Sequence, residues 1–317
     1  MPARRSRKQL PEELERWRVR RGGLRRPRTG SCKQLPSKGR WATAKDFGQN
    51  GQRMSAIRAD YHIHTALCRH AVGEPIEYVH AAQKAGLTEI GFADHNPMPE
   101  QFDAWRMSLE ELPRYLDMIE EVKSSGFTVR LGLECDFIAG YESWIEALAE
   151  KAPWDYLIGS VHYIAPGWDV DNPKYLSRFQ EYPVEEIWEL YWKHYVRCIE
   201  SGLFDFVAHP DLVKKFGYRP RGDLRRYYQA AIESLITHNV AFEINTAGLR
   251  KEAEEIYPAP EFLRLAQEAG AAVLINSDAH APEEVAYKFD LAVDLARKAG
   301  YSKVCRFEKR RRIEVDL

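Results

Sequence analysis

Residues 60–71 read DYHIHTALCRHA and place His62, His64 and His70 within nine positions. The segment 57–64 (IRADYHIH) has the β-branched and aromatic character of a strand, and His62 and His64 close it. Side chains at i and i+2 of a strand point the same way. The two imidazoles can therefore share one cation, with His70 in the loop beyond. The fold question is whether other strands end in the same manner.

They do. Strand candidates follow at 88–94 (TEIGFAD), 128–137 (TVRLGLECDF), 155–162 (DYLIGSVH), 204–209 (FDFVAH), 240–246 (VAFEINT) and 271–278 (AAVLINSD). Amphipathic segments lie between them, among them 74–86, 184–202 and 282–300. Seven β-α alternations predict a parallel α/β sheet, either doubly wound or closed as a barrel. The ending VCRFEKRRRIEVDL predicts a terminal hairpin. No repeat or low-complexity linker follows residue 54, so 54–317 reads as one domain.

In parallel α/β folds the C-terminal strand edge carries the active site. Here that edge collects His62, His64, His70, Asp94, His95, Glu134, His162, His209, Asp211, Glu243, Asn245, Asp278 and His280. Seven of the ten histidines stand there; His80, His194 and His238 fall within helical patterns and read as ordinary helix residues. Imidazoles and carboxylates together suit zinc, manganese or iron. Seven histidines and two acids are too many for one ion and fit three, with Glu134 suited to bridge and open positions left for water or substrate. Cys68 and Cys135 adjoin these positions and are read as structural.

The chain has 317 residues and a formal net charge of −1, but the charge is uneven. Residues 1–53 carry a balance of +12 and residues 54–317 a balance of −13. The first stretch, rich in Arg, Gly and Pro, reads as a disordered basic extension, and Met54 as the natural start. An acidic body is poorly suited to nucleic acid, which leaves only 1–53 for such contact. No apolar run reaches bilayer length and no secretory signal core is present, so no membrane role is expected. Five scattered cysteines without a CxxC pair point to a reducing cytoplasm.

The blocks HIHTALCRHA, GFADHNP, LGLECDFIAGYE, GSVHYI, AHPDLVKKFG, EINTAGLRKEAEEIYP and INSDAHAPEEV resemble the polymerase-and-histidinol-phosphatase (PHP) family, within it the histidinol-phosphate phosphatases, over nearly all of 57–300. The resemblance implies a distorted (β/α)7 barrel with a trinuclear metal centre. It also implies hydrolysis of L-histidinol phosphate to L-histidinol and phosphate in histidine biosynthesis. The nine family ligands match His62, His64, His70, His95, Glu134, His162, His209, Asp278 and His280. The implied partition gives one ion His62, His64, Glu134 and Asp278, a second Glu134, His162 and His209, and a third His70, His95 and His280. Glu134, Asp278 and His280 are the expected catalytic positions. The basic stretch 1–53 departs from the family pattern.

Three cations answer the repulsion between a phosphate dianion and an incoming hydroxide, and no Cys-x5-Arg loop is present to build a phosphoenzyme. Arg250, just past the sixth strand, is a candidate phosphate ligand. Glu243 and Asn245 share a strand face and either bind the amino or imidazole end of the substrate or pack polar groups inside the barrel. The loop 167–175 is expected over the site, with Trp168 and Asp171 near the substrate. The competing readings are a PHP-type phosphoesterase acting on nucleotides or other phosphomonoesters, an amidohydrolase, and a non-catalytic binding module. An amidohydrolase usually places a bridging lysine where this chain has Glu134. The ligand set leaves the choice among zinc, manganese and iron open.

Overall fold

Residues 59–317 are described by a computed structural model; the basic stretch 1–53 lies outside the described residues. Seven parallel strands form one sheet: β1 (Ala59–Ile63), β2 (Glu89–Phe92), β3 (Thr128–Asp136), β4 (Tyr156–Ser160), then, past a small hairpin of β5 (Tyr163–Ala165) and β6 (Trp168–Asp169), β7 (Phe206–Val207), β8 (Ala241–Asn245) and β9 (Val273–Asn276). Their order is β1-β2-β3-β4-β7-β8-β9, each strand paired with its successor. The ends approach as well. Ala279 N donates to His62 O (3.0 Å), and Ala279 O accepts from His64 N (2.9 Å). The sheet thus curls into a nearly closed seven-stranded barrel, the barrel alternative of the sequence reading.

Helices α1 (Pro75–Lys84), α2 (Leu112–Lys123), α3 (Glu142–Ala149), α4 (Arg178–Glu181), α5 (Val184–Glu200), α6 (Arg225–His238), α7 (Pro260–Ala269) and α8 (Phe289–Ala299) lie outside the strands. In α5 the apolar stripe Ile187, Trp188, Tyr191, Tyr195, Cys198 and Ile199 is buried against the sheet, as its 3.6-residue spacing requires. The helix expected over 282–300 begins only at Phe289: Ala286 and Lys288 hold positive φ, so the chain turns before it coils.

The strand starts are closed from below. The terminal hairpin of β10 (Lys303–Glu308) and β11 (Arg311–Asp316) places Cys305 and Phe307 against Tyr61, Tyr156 and Phe206 in one apolar cluster. Arg306 pairs with Glu89, and Arg310 with Asp205. The Tyr156 ring crosses the interior beside Gly91 and Gly132. A Cβ at Gly91 would lie 2.1 Å from the Tyr156 hydroxyl and one at Gly132 2.1 Å from its ring, so neither strand tolerates a side chain there. With one mouth filled, the C-terminal mouth is left for chemistry.

Candidate metal centre

Glu134, near the end of β3, is the hub. Its Oε2 lies 2.9 Å from His95 Nδ1, 3.3 Å from His62 Nε2 and 3.5 Å from His64 Nε2. Its Oε1 lies 3.2 Å from His209 Nε2 and 3.8 Å from His162 Nε2. Asp278 Oδ1 stands 3.3 Å from His64 Nε2, 3.8 Å from His62 Nε2 and 3.6 Å from His280 Nδ1. The His70 ring lies 4.5 Å from that of His280 and 5.7 Å from that of His95, centroid to centroid. His209 and Asp278 hold positive φ (20° and 53°), which bends the chain at two strand ends. All nine expected ligand positions thus meet at one mouth, drawn from strand ends and loops that only the barrel brings together.

The donors fall into triads whose atoms lie within 4.8 Å of one another: His62/His64/Asp278, Glu134/His162/His209, His64/His95/His280 and Cys68/His70/His280. The first two follow the implied partition. The third implied group is split, with Cys68 entering beside His70 and His280. Cys135, by contrast, is packed in the core.

The electrostatics are those of donors crowded together. Burial pushes the Glu134 carboxyl up, but His95, His62 and His209 hold it well below its ordinary range. Burial opposes charge on His162, yet Asp136 brings it up to about 10; His64 reaches about 10 through Asp278, Cys68 and Glu134. Burial takes His95 down to about 3. Burial raises the Cys68 thiol, but His64 and His70 bring it down to about 6. Buried His62 Nε2, His64 Nε2, His95 Nδ1, Glu134 Oε2 and His280 Nε2 have no hydrogen-bond partner. Buried polar atoms are ordinarily satisfied. Unpartnered imidazole nitrogens and a carboxylate oxygen brought together are the donor types a divalent cation takes once their protons leave, so the residues fit the metal centre that the family implies.

One carboxylate orients an imidazole from behind. Glu243 is fully buried and accepts from His62 Nδ1 (3.0 Å), His209 N (2.8 Å), Asn245 Nδ2 and Asn276 Nδ2 (both 2.7 Å). Asn245 Oδ1 is taken by Ala247 N. Both side chains are hydrogen-bonded inside the barrel, and neither is among the residues that line the pocket described below. Arg250 lies beside the Asp278 loop. Its guanidinium donates to Ser277 O and Asp278 O and pairs with Glu284 (3.0 Å), bracing the Asp278 loop. Trp168 is buried against Tyr182 and Phe179 and does not line the pocket described below.

Beside the donors lies a cavity of about 220 Å³, lined by His70, His162, His209, His280, Asp171, Leu212, Lys215, Ala247, Lys251, Tyr257 and Glu284 among others. Asp171 is therefore at the pocket, its carboxylate 2.6 Å from Lys215 Nζ. Lys215, Lys251, Tyr257 and Glu284 were not singled out in the sequence. Lys251 is one residue from Arg250, but a lysine in an unassigned turn carries no spacing signal. A larger cleft of about 370 Å³ between the terminal hairpin and α6 contains none of the donors, so the chemistry is assigned to the smaller one.

A seven-stranded parallel barrel with a histidine-and-carboxylate cluster at its C-terminal mouth defines a metal-dependent hydrolytic site. The PHP domain family matches residues 60–247. A probable histidinol-phosphatase of Deinococcus radiodurans is 42% identical over 245 residues, covering 76% of this chain and 93% of that protein. The histidinol-phosphatase of Bacillus subtilis is 27% identical, over 74% of this chain and 97% of its own. The crystal structure of histidinol phosphate phosphatase from Lactococcus lactis, complexed with zinc, L-histidinol and phosphate, superposes with a TM-score of 0.69 at 23% identity, covering 81% of this chain and 98% of that one. This chain belongs to the PHP domain family.

Proposed function

We propose that the chain is a metal-dependent phosphomonoesterase, a histidinol-phosphatase that hydrolyses L-histidinol phosphate to L-histidinol and phosphate in histidine biosynthesis. The observation that carries this reading is the convergence of His62, His64, His95, His162 and His209 on Glu134, beside a substrate-sized pocket. The 42% identity to a probable histidinol-phosphatase supports the substrate.

His62, His64, His70, His95, Glu134, His162, His209, Asp278 and His280 are the residues that would hold three divalent ions, zinc before manganese or iron. Such ions supply charge against the phosphoryl oxygens and acidify water. The protein's own contribution is to hold these side chains rigidly and to shape the pocket. Lys251 adds positive charge where a phosphate dianion enters, while the charge of Lys215 is met by Asp171. Asp171 offers a carboxylate to the cationic amine or imidazole end of the substrate. Leu212, Ala247 and Tyr257 narrow the pocket and displace water. Glu243 keeps His62 Nε2 pointed at Glu134 by holding Nδ1.

Among the described residues no helix is long and apolar enough to cross a membrane. A cytoplasmic location and a small-molecule partner complete the proposal. The test is phosphate release by the metal-loaded full chain from L-histidinol phosphate, nucleoside monophosphates and p-nitrophenyl phosphate, compared by kcat/KM with and without chelator. A dominant, chelator-sensitive rate on L-histidinol phosphate is expected. Preferential turnover of nucleotides would discard the substrate and retain the phosphoesterase class.

A further inference from the structure

Asp136 stands two residues beyond Glu134 on β3, and its donor atom lies within 4.8 Å of those of His95 and His162. Taken alone, that triad resembles one more cation site. The surroundings of Asp136 say otherwise. Its Oδ1 accepts from His162 Nδ1 at 2.7 Å, and its Oδ2 accepts from Arg106 Nη2 at 2.8 Å. Both carboxylate oxygens are thus engaged, one of them by a fixed positive charge that would repel a metal ion.

Arg106 is itself buried and held on every side. It donates to Asn96 O (3.0 Å) and to Asp103 Oδ2 (2.8 Å), and it lies 4.4 Å above the Trp105 ring. Tyr163 OH secures Asp103 from the far side at 2.9 Å. Asn96 Oδ1 also accepts from Asp136 N (3.0 Å). The segment between β2 and α2 is in this way anchored to the end of β3 by the guanidinium together with the Asn96 amide and backbone hydrogen bonds to Glu134. The same segment sets the Trp105 ring edge-on against His95, with centroids 4.4 Å apart.

We infer that Asp136 and Arg106 form a buried positioning pair that fixes the His162 tautomer and aims its Nε2 at the metal centre. Arginine does not lose its proton in proteins, so the carboxylate facing it stays ionised and can only accept. His162 then donates from Nδ1, so that Nε2, 3.8 Å from Glu134 Oε1, is the nitrogen that gives up its proton when a cation binds. The arrangement matches the way Glu243 holds His62 and assigns a role to Arg106, on a loop whose own donor is His95. It rests on the metal-centre reading proposed above.

The test uses the full chain and zinc alone, with competition by a chelator to read affinity and elemental analysis to read stoichiometry. Wild-type protein, Asp136→Asn, Arg106→Met and the conservative Arg106→Lys are compared. Asp136→Asn and Arg106→Met are expected to weaken one bound zinc by about 10–100-fold, with the others retained and Arg106→Lys restoring most of the loss. A folded Asp136→Asn protein with wild-type affinity for every zinc overturns the inference. Zinc-loaded wild-type protein carrying ¹⁵N-histidine decides independently of whether the variants fold. The His162 resonance, assigned by its loss in His162→Gln, is expected to show the proton on Nδ1, and a proton on Nε2 overturns the pair's role. Failure of wild-type protein to bind zinc at all overturns the metal reading itself, a result distinct from either.

Discussion

The Glu243 carboxylate accepts from His62 Nδ1 at 3.0 Å, with both side chains fully buried. A ligating imidazole usually donates its second nitrogen to such a partner, which fixes tautomer and ring orientation. Glu243→Gln keeps the shape and removes the charge. Activity is expected to fall about 10–100-fold with loss of bound metal, and the folded state to lose about 1–3 kcal/mol because Asn276 and Asn245 also depend on that carboxylate. Steady-state kinetics, metal analysis and thermal unfolding read the three effects.

Glu134 is the acid on which both halves of the site converge. Glu134→Gln should lower kcat by more than about 100-fold and reduce the number of metal ions retained after gel filtration. Full activity in a folded Glu134→Gln protein would remove Glu134 from the centre.

Metal uptake should release protons. Without metal, His64 and His162 are held up to about 10, so at pH 7 both are protonated. A cation must displace those protons, and affinity therefore rises with pH from neutrality toward 10 and falls as pH drops. Calorimetry in buffers of different ionisation enthalpy should show net proton release at pH 7. No release would contradict the charge states described.

Arg250 and Lys251 should separate in their kinetics. Arg250 braces Ser277 and Asp278 through their carbonyls, whereas Lys251 lines the pocket. Lys251→Ala is expected to raise KM about 10-fold or more, the loss of one charged hydrogen bond. Arg250→Ala should act mainly on kcat and metal retention, through the Asp278 loop. The reverse pattern would return the phosphate role to Arg250.

Below the site, Gly132→Ala sets a methyl group against the Tyr156 ring. A destabilisation of about 1–3 kcal/mol or more is expected, or roughly 2–4 °C in Tm per kcal/mol. An unchanged Tm would mean that Tyr156 does not cross the barrel as described.

Much of this was already readable in the chain. Strand alternation and the i, i+2 pair His62 and His64 follow from local backbone geometry, so the seven strands, their parallel order and the donor-bearing edge could be anticipated. Asp136 also carries a signal, since it shares a strand face with Glu134, but a shared face does not tell a metal donor from a residue that braces one. Other features had no local mark. Glu243 has the same i, i+2 relation to Asn245 whether it faces a ligand or a histidine, and Arg250 looks like any arginine past a strand. Their partners, His62 and the Asp278 loop, lie on other strands, 181 and 28 residues away. Side-chain periodicity belongs to a few neighbouring residues, whereas the choice between touching substrate and bracing a ligand depends on which strands barrel closure sets side by side.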